Sequence, residues 1–275
     1  MKDAISSSSC SWRRRRARGG ISAPVASHRA SVTGVTQRLA ESQPQSPSMH
    51  HPDYWWYRAR SDMLRAIVEP ELGDPGRVLD VGSADGPSVE WMSGRGTRTA
   101  VDLDLSALRP GDVQASAMAL PFADGTFDVL TAFDVLEHLD PEDRAVAELV
   151  RVVRPGGRLF VAVPAYQWAW SDFDRDIGHY RRYTRGRLVR ALRPQGLEVR
   201  RASYLFAGTL PIFAAERISR RWRRLEGPAT TEPPTVSTVQ ERVLLGLCRL
   251  DERVLRHRDL PFGSSVVAVA TKPGR

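Results

Sequence analysis

From about residue 51 onward, the hydrophobic positions of this chain alternate between short apolar runs and stretches of helical spacing. Asp53 precedes Tyr54, Trp55, Trp56 and Tyr57, and Met63, Leu64, Ile67 and Val68 follow at helical intervals, which predicts a helix capped by Asp53. Its aromatics suit packing on a sheet, with a substrate lid as the alternative. Strands are predicted at 77–81, 97–103, 113–115, 127–133, 158–163, 198–204 and 265–271, and helices at 87–92, 141–153 and 185–192. Alternation of this kind demands a largely parallel sheet with helices on both faces, an α/β fold.

Two regions break the pattern. Residues 1–50 are rich in Ser, Arg and Ala, carry the Arg13 to Arg16 run and show no hydrophobic periodicity, so they read as a disordered basic leader. A targeting segment and an electrostatic arm are the alternatives, and the missing apolar stretch excludes a secretory signal. The folded domain is expected over 51–275, with a helical insertion at 205–260. That insertion opens on uncharged residues, including Leu205, Phe206, Leu210, Ile212 and Phe213, and continues into arginines around Trp222. It is too short in apolar length to span a bilayer. A cap over the substrate cleft is the favoured reading, and peripheral membrane contact through 205–224 is the alternative.

Composition changes the picture little. With 275 residues, 41% hydrophobic and 26% charged, the chain is an ordinary globular sequence, long enough for a substantial core. Cys10 and Cys248 form neither a disulfide framework nor a metal spacing, so a reducing, cytoplasmic setting is expected. Lys2 and Lys272 are the only lysines, a bias that fits a GC-rich bacterial genome. The net charge of +8 divides into +6 for residues 1–50, −10 for 51–174 and +12 for 175–275. The polarity points to an anionic acceptor or surface on the C-terminal side and away from nucleic acid.

The chemistry begins at Val78-Leu79-Asp80-Val81-Gly82-Ser83-Ala84-Asp85-Gly86, a strand entering a small-residue loop before a helix start. Gly82 and Gly86 allow close approach, and a helix N-terminus favours an anionic group, so the stretch suits a nucleotide-like cofactor. The dinucleotide pattern Gly-x-Gly-x-x-Gly is not matched, which disfavours NAD. Asp102 ends the next strand and can accept from two ribose hydroxyls, with Asp104 as the fallback.

Together with Ala119 to Val129, Asp134-Val135-Leu136-Glu137-His138 and Arg154-Pro155-Gly156-Gly157, these segments resemble the class I S-adenosylmethionine-dependent methyltransferases, type 11 branch. The resemblance covers about residues 75 to 165. It implies a Rossmann-like seven-stranded sheet of order 3-2-1-4-5-7-6 with strand 7 antiparallel. Carried over residue by residue, Asp80 organises the loop and the methionine amino group, and Gly82, Ser83, Ala84 and Gly86 pass under the cofactor. Asp102 takes the ribose, Leu103 lies against the adenine, Ala117 and Met118 sit at its edge, and Phe133 borders the methyl pocket. Ala84 and Ser116 depart from the usual glycine and acid, which implies weaker cofactor affinity.

Methyl transfer from a sulfonium needs alignment and, for a hydroxyl nucleophile, a general base. Asp134, His138 and His179 are the candidates. After strand 5, Trp168 and Trp170 could stack on a ring or sugar while Arg181, Arg182 and Tyr183 clamp an anionic group. No metal is expected: Asp172, Asp174 and Asp176 alternate with aromatic and basic residues and lack a calcium-loop pattern. The expected activity is methylation, with O-methylation in front, of a small-molecule, glycan or lipid-linked acceptor. The rivals are a non-catalytic cofactor-binding module and a basic nucleic-acid-binding protein.

Overall fold

In the computed structural model, residues 51, 53–82, 86, 88–222 and 235–274 are described. The leader at 1–50, Ser83 and Ala84 of the predicted cofactor loop, and Arg223 and Arg224 of the insertion lie outside them.

The strands are β1 (Arg77–Val81), β2 (Thr97–Asp102), β3 (Val113–Gln114), β4 (Phe127–Phe133), β5 (Val153–Pro164), β6 (Glu198–Leu205) and β7 (Ser265–Thr271). They form a seven-stranded sheet of order β3-β2-β1-β4-β5-β7-β6. The pairs β1/β2, β1/β4, β2/β3 and β4/β5 are parallel, and β7 runs antiparallel to both β5 and β6. The expected class and strand order are those observed.

Helix α1 (Trp55–Leu72) buries Ala59, Met63, Leu64, Ile67 and Val68 along one stripe, and its N-cap is Tyr54 instead of the expected Asp53. Helix α2 (Glu142–Val152) follows Pro141 and buries Ala145, Val146, Leu149 and Val150. Helix α3 (Asp172–Asp176) lies in the loop after β5, and α4 (Arg185–Leu192) packs on β6 and β7. The insertion supplies α5 (Leu210–Trp222) and α6 (Thr238–Leu255), and α6 packs along α1. Burial in α6 pushes the Cys248 thiol up to about 12, with Asp251 adding to it, so this cysteine is an inert core residue.

Over the described part of the helix expected at 87–92 the chain is 3-10 instead, at Ser88 and over Glu90–Met92, with a turn at Val89 between them. The reason is local. Ser93 leaves helical geometry, and Gly94 (φ 80°) and Gly96 (φ 88°) continue in the left-handed region, so the segment has no length in which to propagate a helix.

Arg151 fastens the segment between β3 and β4 to α2. Its guanidinium donates to the Leu120 and Phe122 carbonyls at 3.0 and 2.8 Å and to Glu148, which in turn accepts from the Leu120 amide at 2.7 Å. That hydrogen bonding holds the Glu148 carboxyl below the usual carboxylate range. Arg151→Ala should therefore lower stability in urea unfolding at neutral pH by about 1–2 kcal/mol. Because the Glu148 pKa is depressed in the folded state, its contribution is present above the unfolded value and fades as pH falls through the carboxylate range. The gap between wild type and variant should narrow there.

Candidate functional site

The predicted site residues gather at the carboxyl ends of the parallel strands, where an open α/β sheet leaves a crevice. Asp80, 3% exposed at the end of β1, accepts from Arg98 Nη2 at 2.5 Å and from Thr131 Oγ1 at 2.7 Å. Gly82 follows with φ 74°, and its amide donates to the Val101 carbonyl at 2.8 Å. A Cβ there would stand 2.4 Å from Val135 Cγ2, so both backbone angle and space demand glycine. At Gly86 a Cβ would meet nothing within 4 Å, which leaves open room beside the loop.

Asp102 closes β2 half-buried, its Oδ1 accepting from the Asp104 amide at 2.9 Å, and the neighbouring Leu103 is 43% exposed. Asp104, the fallback, instead caps the following 3-10 turn by accepting from the Ser106 amide. Ala117 is buried and Met118 half-buried, with the Met118 amide bonded to Ser116 Oγ at 3.1 Å. Phe133 is buried at the end of β4, and Asp134 follows at φ 54°, a strained angle for a non-glycine residue, held by its amide bond to the Ala162 carbonyl.

Arg60 was not singled out in the sequence, where an arginine on a helical pattern reads as a solvated face. It is fully buried. Its Nη1 donates to Ser88 Oγ at 2.9 Å, its Nη2 lies 2.8 Å from Asp134 Oδ2, and its guanidinium stands over Trp56 and Phe133 at 5.4 and 6.0 Å. Trp56 stacks on Phe206 at 5.3 Å and 5°. Trp56 thus meets both the Arg60 guanidinium and the start of the insertion.

The loop after β5 is organised around a second buried charge. Asp174 accepts from Ser171 N and Oγ at 2.8 and 3.1 Å, from Arg182 Nε and Nη2 at 2.6 and 3.0 Å, and pairs with His179 Nδ1 at 2.9 Å. Burial alone would raise its carboxyl, but the bonds from His179 and Arg182 outweigh that and hold it well below the usual range. His179 reaches to 3.9 Å from Glu137 Oε1 and packs edge-on against His138 at 4.5 Å. Burial, then the charge of His179, lowers His138 to about 4. Burial and the Asp134 charge push the Glu137 carboxyl well up.

Expected clamps prove to be ties. Arg181 donates to the Leu139 carbonyl and pairs with Asp140, Arg182 is spent on Asp174, and the Tyr183 hydroxyl, fully buried, donates to Glu142 at 2.5 Å. Arg181 and Tyr183 thereby tie the end of this loop to the segment leading into α2, and Arg182 ties it to α3. Trp168 is 41% exposed, stacked on Tyr166 at 5.8 Å, while Trp170 is half-buried. Phe213 of α5 leans toward Trp168 at 6.5 Å and carries the Arg217 guanidinium 5.0 Å over its ring. The insertion therefore approaches the loop after β5 through this aromatic pair. None of the described helices is long and apolar enough to cross a membrane.

Residues 79–161 match the family model described as a methyltransferase domain. A demethylmenaquinone methyltransferase of Renibacterium salmoninarum is 37% identical over 108 residues, covering 36% of this chain and 46% of the relative. The O-methyltransferase rstn1 of Aspergillus nomiae is 30% identical over 142 residues, covering 41% and 61%. The chain thus spans about half the length of the curated relatives it matches. Among solved structures, the [4+2]-cyclase SpnF has a TM-score of 0.51 at 22% identity, covering 78% of this chain and 81% of that one. A Burkholderia thailandensis 1,6-didemethyltoxoflavin-N1-methyltransferase, solved with 1,6-didemethyltoxoflavin and S-adenosylhomocysteine, has a TM-score of 0.51 at 17% identity, covering 92% and 93%.

Asp174→Asn should leave Arg182 without its buried counter-charge and lower stability by about 3 kcal/mol in urea unfolding. A loss within ~0.5 kcal/mol would mean that the loop is held by other contacts.

Proposed function

Since residues 79–161 match the methyltransferase-domain model and the sheet has the Rossmann-like order β3-β2-β1-β4-β5-β7-β6, we propose that this chain is an S-adenosylmethionine-dependent methyltransferase acting on a small-molecule acceptor, with oxygen as the receiving atom. The observation that carries the reading is the paired geometry at β1 and β2. Gly82 is forced into a left-handed turn with no space for a Cβ, and Asp102 ends the neighbouring strand beside an exposed Leu103. A ribose across Asp102 and an adenine on Leu103 would use a carboxylate and an apolar side chain that otherwise face the crevice. In this reading Asp80 and Gly86 would face the methionine end and Ala117 and Met118 the adenine edge; Ser83 and Ala84, which the resemblance adds to the first group, lie outside the described residues.

The acceptor would approach from the opposite side, past Phe133, Asp134 and the exposed face of Trp168. In-line displacement requires the acceptor oxygen behind the methyl group, and the alignment comes from the walls of the cleft. With Arg181 and Arg182 committed to protein partners, an anionic acceptor would find its cation in Arg217, whose Nε has no hydrogen-bond partner. In this reading His179, whose ring is oriented by Asp174, takes the acceptor proton. Transfer to oxygen accords with the O-methyltransferase relative. The fold also occurs in a protein described as a [4+2]-cyclase, so turnover decides between methyl transfer and a module that binds the cofactor without transferring its methyl group.

Calorimetry with S-adenosylmethionine should show binding to the full chain, and Asp102→Ala and Gly82→Val should each weaken it at least tenfold. Binding of a nicotinamide dinucleotide in its place would overturn the assignment. His179→Ala should depress turnover of acceptors found by mass spectrometry with labelled methyl donor, while cofactor affinity stays within about twofold.

A further inference from the structure

We propose that Glu137, His138 and His179 form a binding site for a divalent transition-metal cation. One ligand atom from each lies within 4.8 Å of the others. The set of one carboxylate and two imidazoles suits Mn2+, Fe2+, Co2+ or Zn2+ in place of Mg2+ or Ca2+.

Two observations beyond proximity carry this. Glu137 is fully buried, and neither of its carboxylate oxygens has a hydrogen-bond partner among the described residues; the Arg60 and Arg182 charges act on it without bonding it, which leaves both oxygens open to a further partner. Second, His179 Nδ1 is bonded to Asp174 at 2.9 Å, so a neutral ring carries its proton on that nitrogen and turns the Nε2 lone pair toward Glu137 Oε1 at 3.9 Å. A cation placed in that gap would displace the carboxyl proton and bind both the Nε2 lone pair and a carboxylate oxygen. A carboxylate behind a ligating histidine is the support that metal sites recruit to fix tautomer and ring orientation.

The frame is firm. Tyr180 N donates to the Glu137 carbonyl at 2.7 Å, and the Asp174 network holds the other side. Ligands of a tetrahedral ion at ~2.1 Å stand about 3.4 Å apart, so the three side chains would close by roughly an ångström on binding. The site departs from the expectation that no metal is needed, and it does not involve Asp172 or Asp176. Sitting one turn beyond Asp134, a bound cation would occupy the Nε2 lone pair of His179 and take over its part in the methyl-transfer reading above, on which this role rests, by holding the acceptor oxygen and favouring its deprotonation.

The test is titration of chelator-treated full-length protein with Co2+, followed by calorimetry and by the visible absorption of the bound ion. One equivalent should bind, Glu137→Gln and His179→Gln should each weaken it by about tenfold or more, and His257→Gln, at an exposed position, should leave it unchanged. The melting temperature of metal-free Glu137→Gln should equal or exceed wild type, since no hydrogen bond is lost. No uptake at millimolar Co2+, or equal uptake by both site variants, overturns the proposal. S-adenosylmethionine binding measured on the same chelated samples separates the two readings: retained with no Co2+ uptake, it removes the cation site alone.

Discussion

A guanidinium without water must find its partners inside the protein, and at Arg60 those partners come from three directions. Ser88 belongs to the segment after β1, Asp134 to the end of β4, and Trp56 to the same helix as the arginine itself. Taking such a group out of water costs several kcal/mol unless the surrounding geometry is close to ideal, so Arg60 constrains all three pieces at once. Asp134 takes its left-handed backbone at this junction. The turn that follows, carrying Glu137 and His138, starts from that residue, and the loop after β5 is registered on it through Tyr180. Movement at α1 would consequently be felt both beneath the predicted cofactor loop and at the acceptor side.

The charge distribution takes on a different meaning in three dimensions. The C-terminal segment carries a large positive excess, yet several of its arginines are internal fasteners. Arg181 and Arg182 hold the loop after β5, and Arg201 ties β6 to Asp259 and to the Leu255 and Arg258 carbonyls. Arginine suits this work because its five donors lie in a fixed fork that can serve several carbonyls and carboxylates together. A basic count along the chain is thus a poor map of basic surface here.

The central strands were legible because they are apolar runs bounded by turn residues, and the strands 127–133 and 265–271, like the helix 185–192, begin and end where the spacing places them. Glycine positions were legible for a similar reason, since Gly82 answers a local backbone demand. What remained hidden depends on contacts between distant residues. Nothing near Arg60 in sequence marks it as buried, because Ser88 and Asp134 lie far along the chain. Likewise, Asp174 and His179 are five residues apart, but Glu137 joins them only through the fold. Arg181, Arg182 and Tyr183 read as a clamp because their chemistry is right for one; their partners Asp140, Asp174 and Glu142 could not be chosen from a list of acids without coordinates.

The placement of β7 has a bearing on how the molecule comes into being. During synthesis β5 and β6 emerge earlier, but in the finished sheet they are separated by β7 and do not pair with each other. Until residues 265–271 leave the ribosome, β5 has one unsatisfied edge and β6, with the helices behind it, has no sheet to join. The half of the protein that β1, β2 and β4 build can assemble early, whereas the acceptor side must wait as an open seam of unpaired amides and carbonyls. Such a nascent chain is exposed to mispairing for as long as that seam is open, and its final strand acts as the closing stitch.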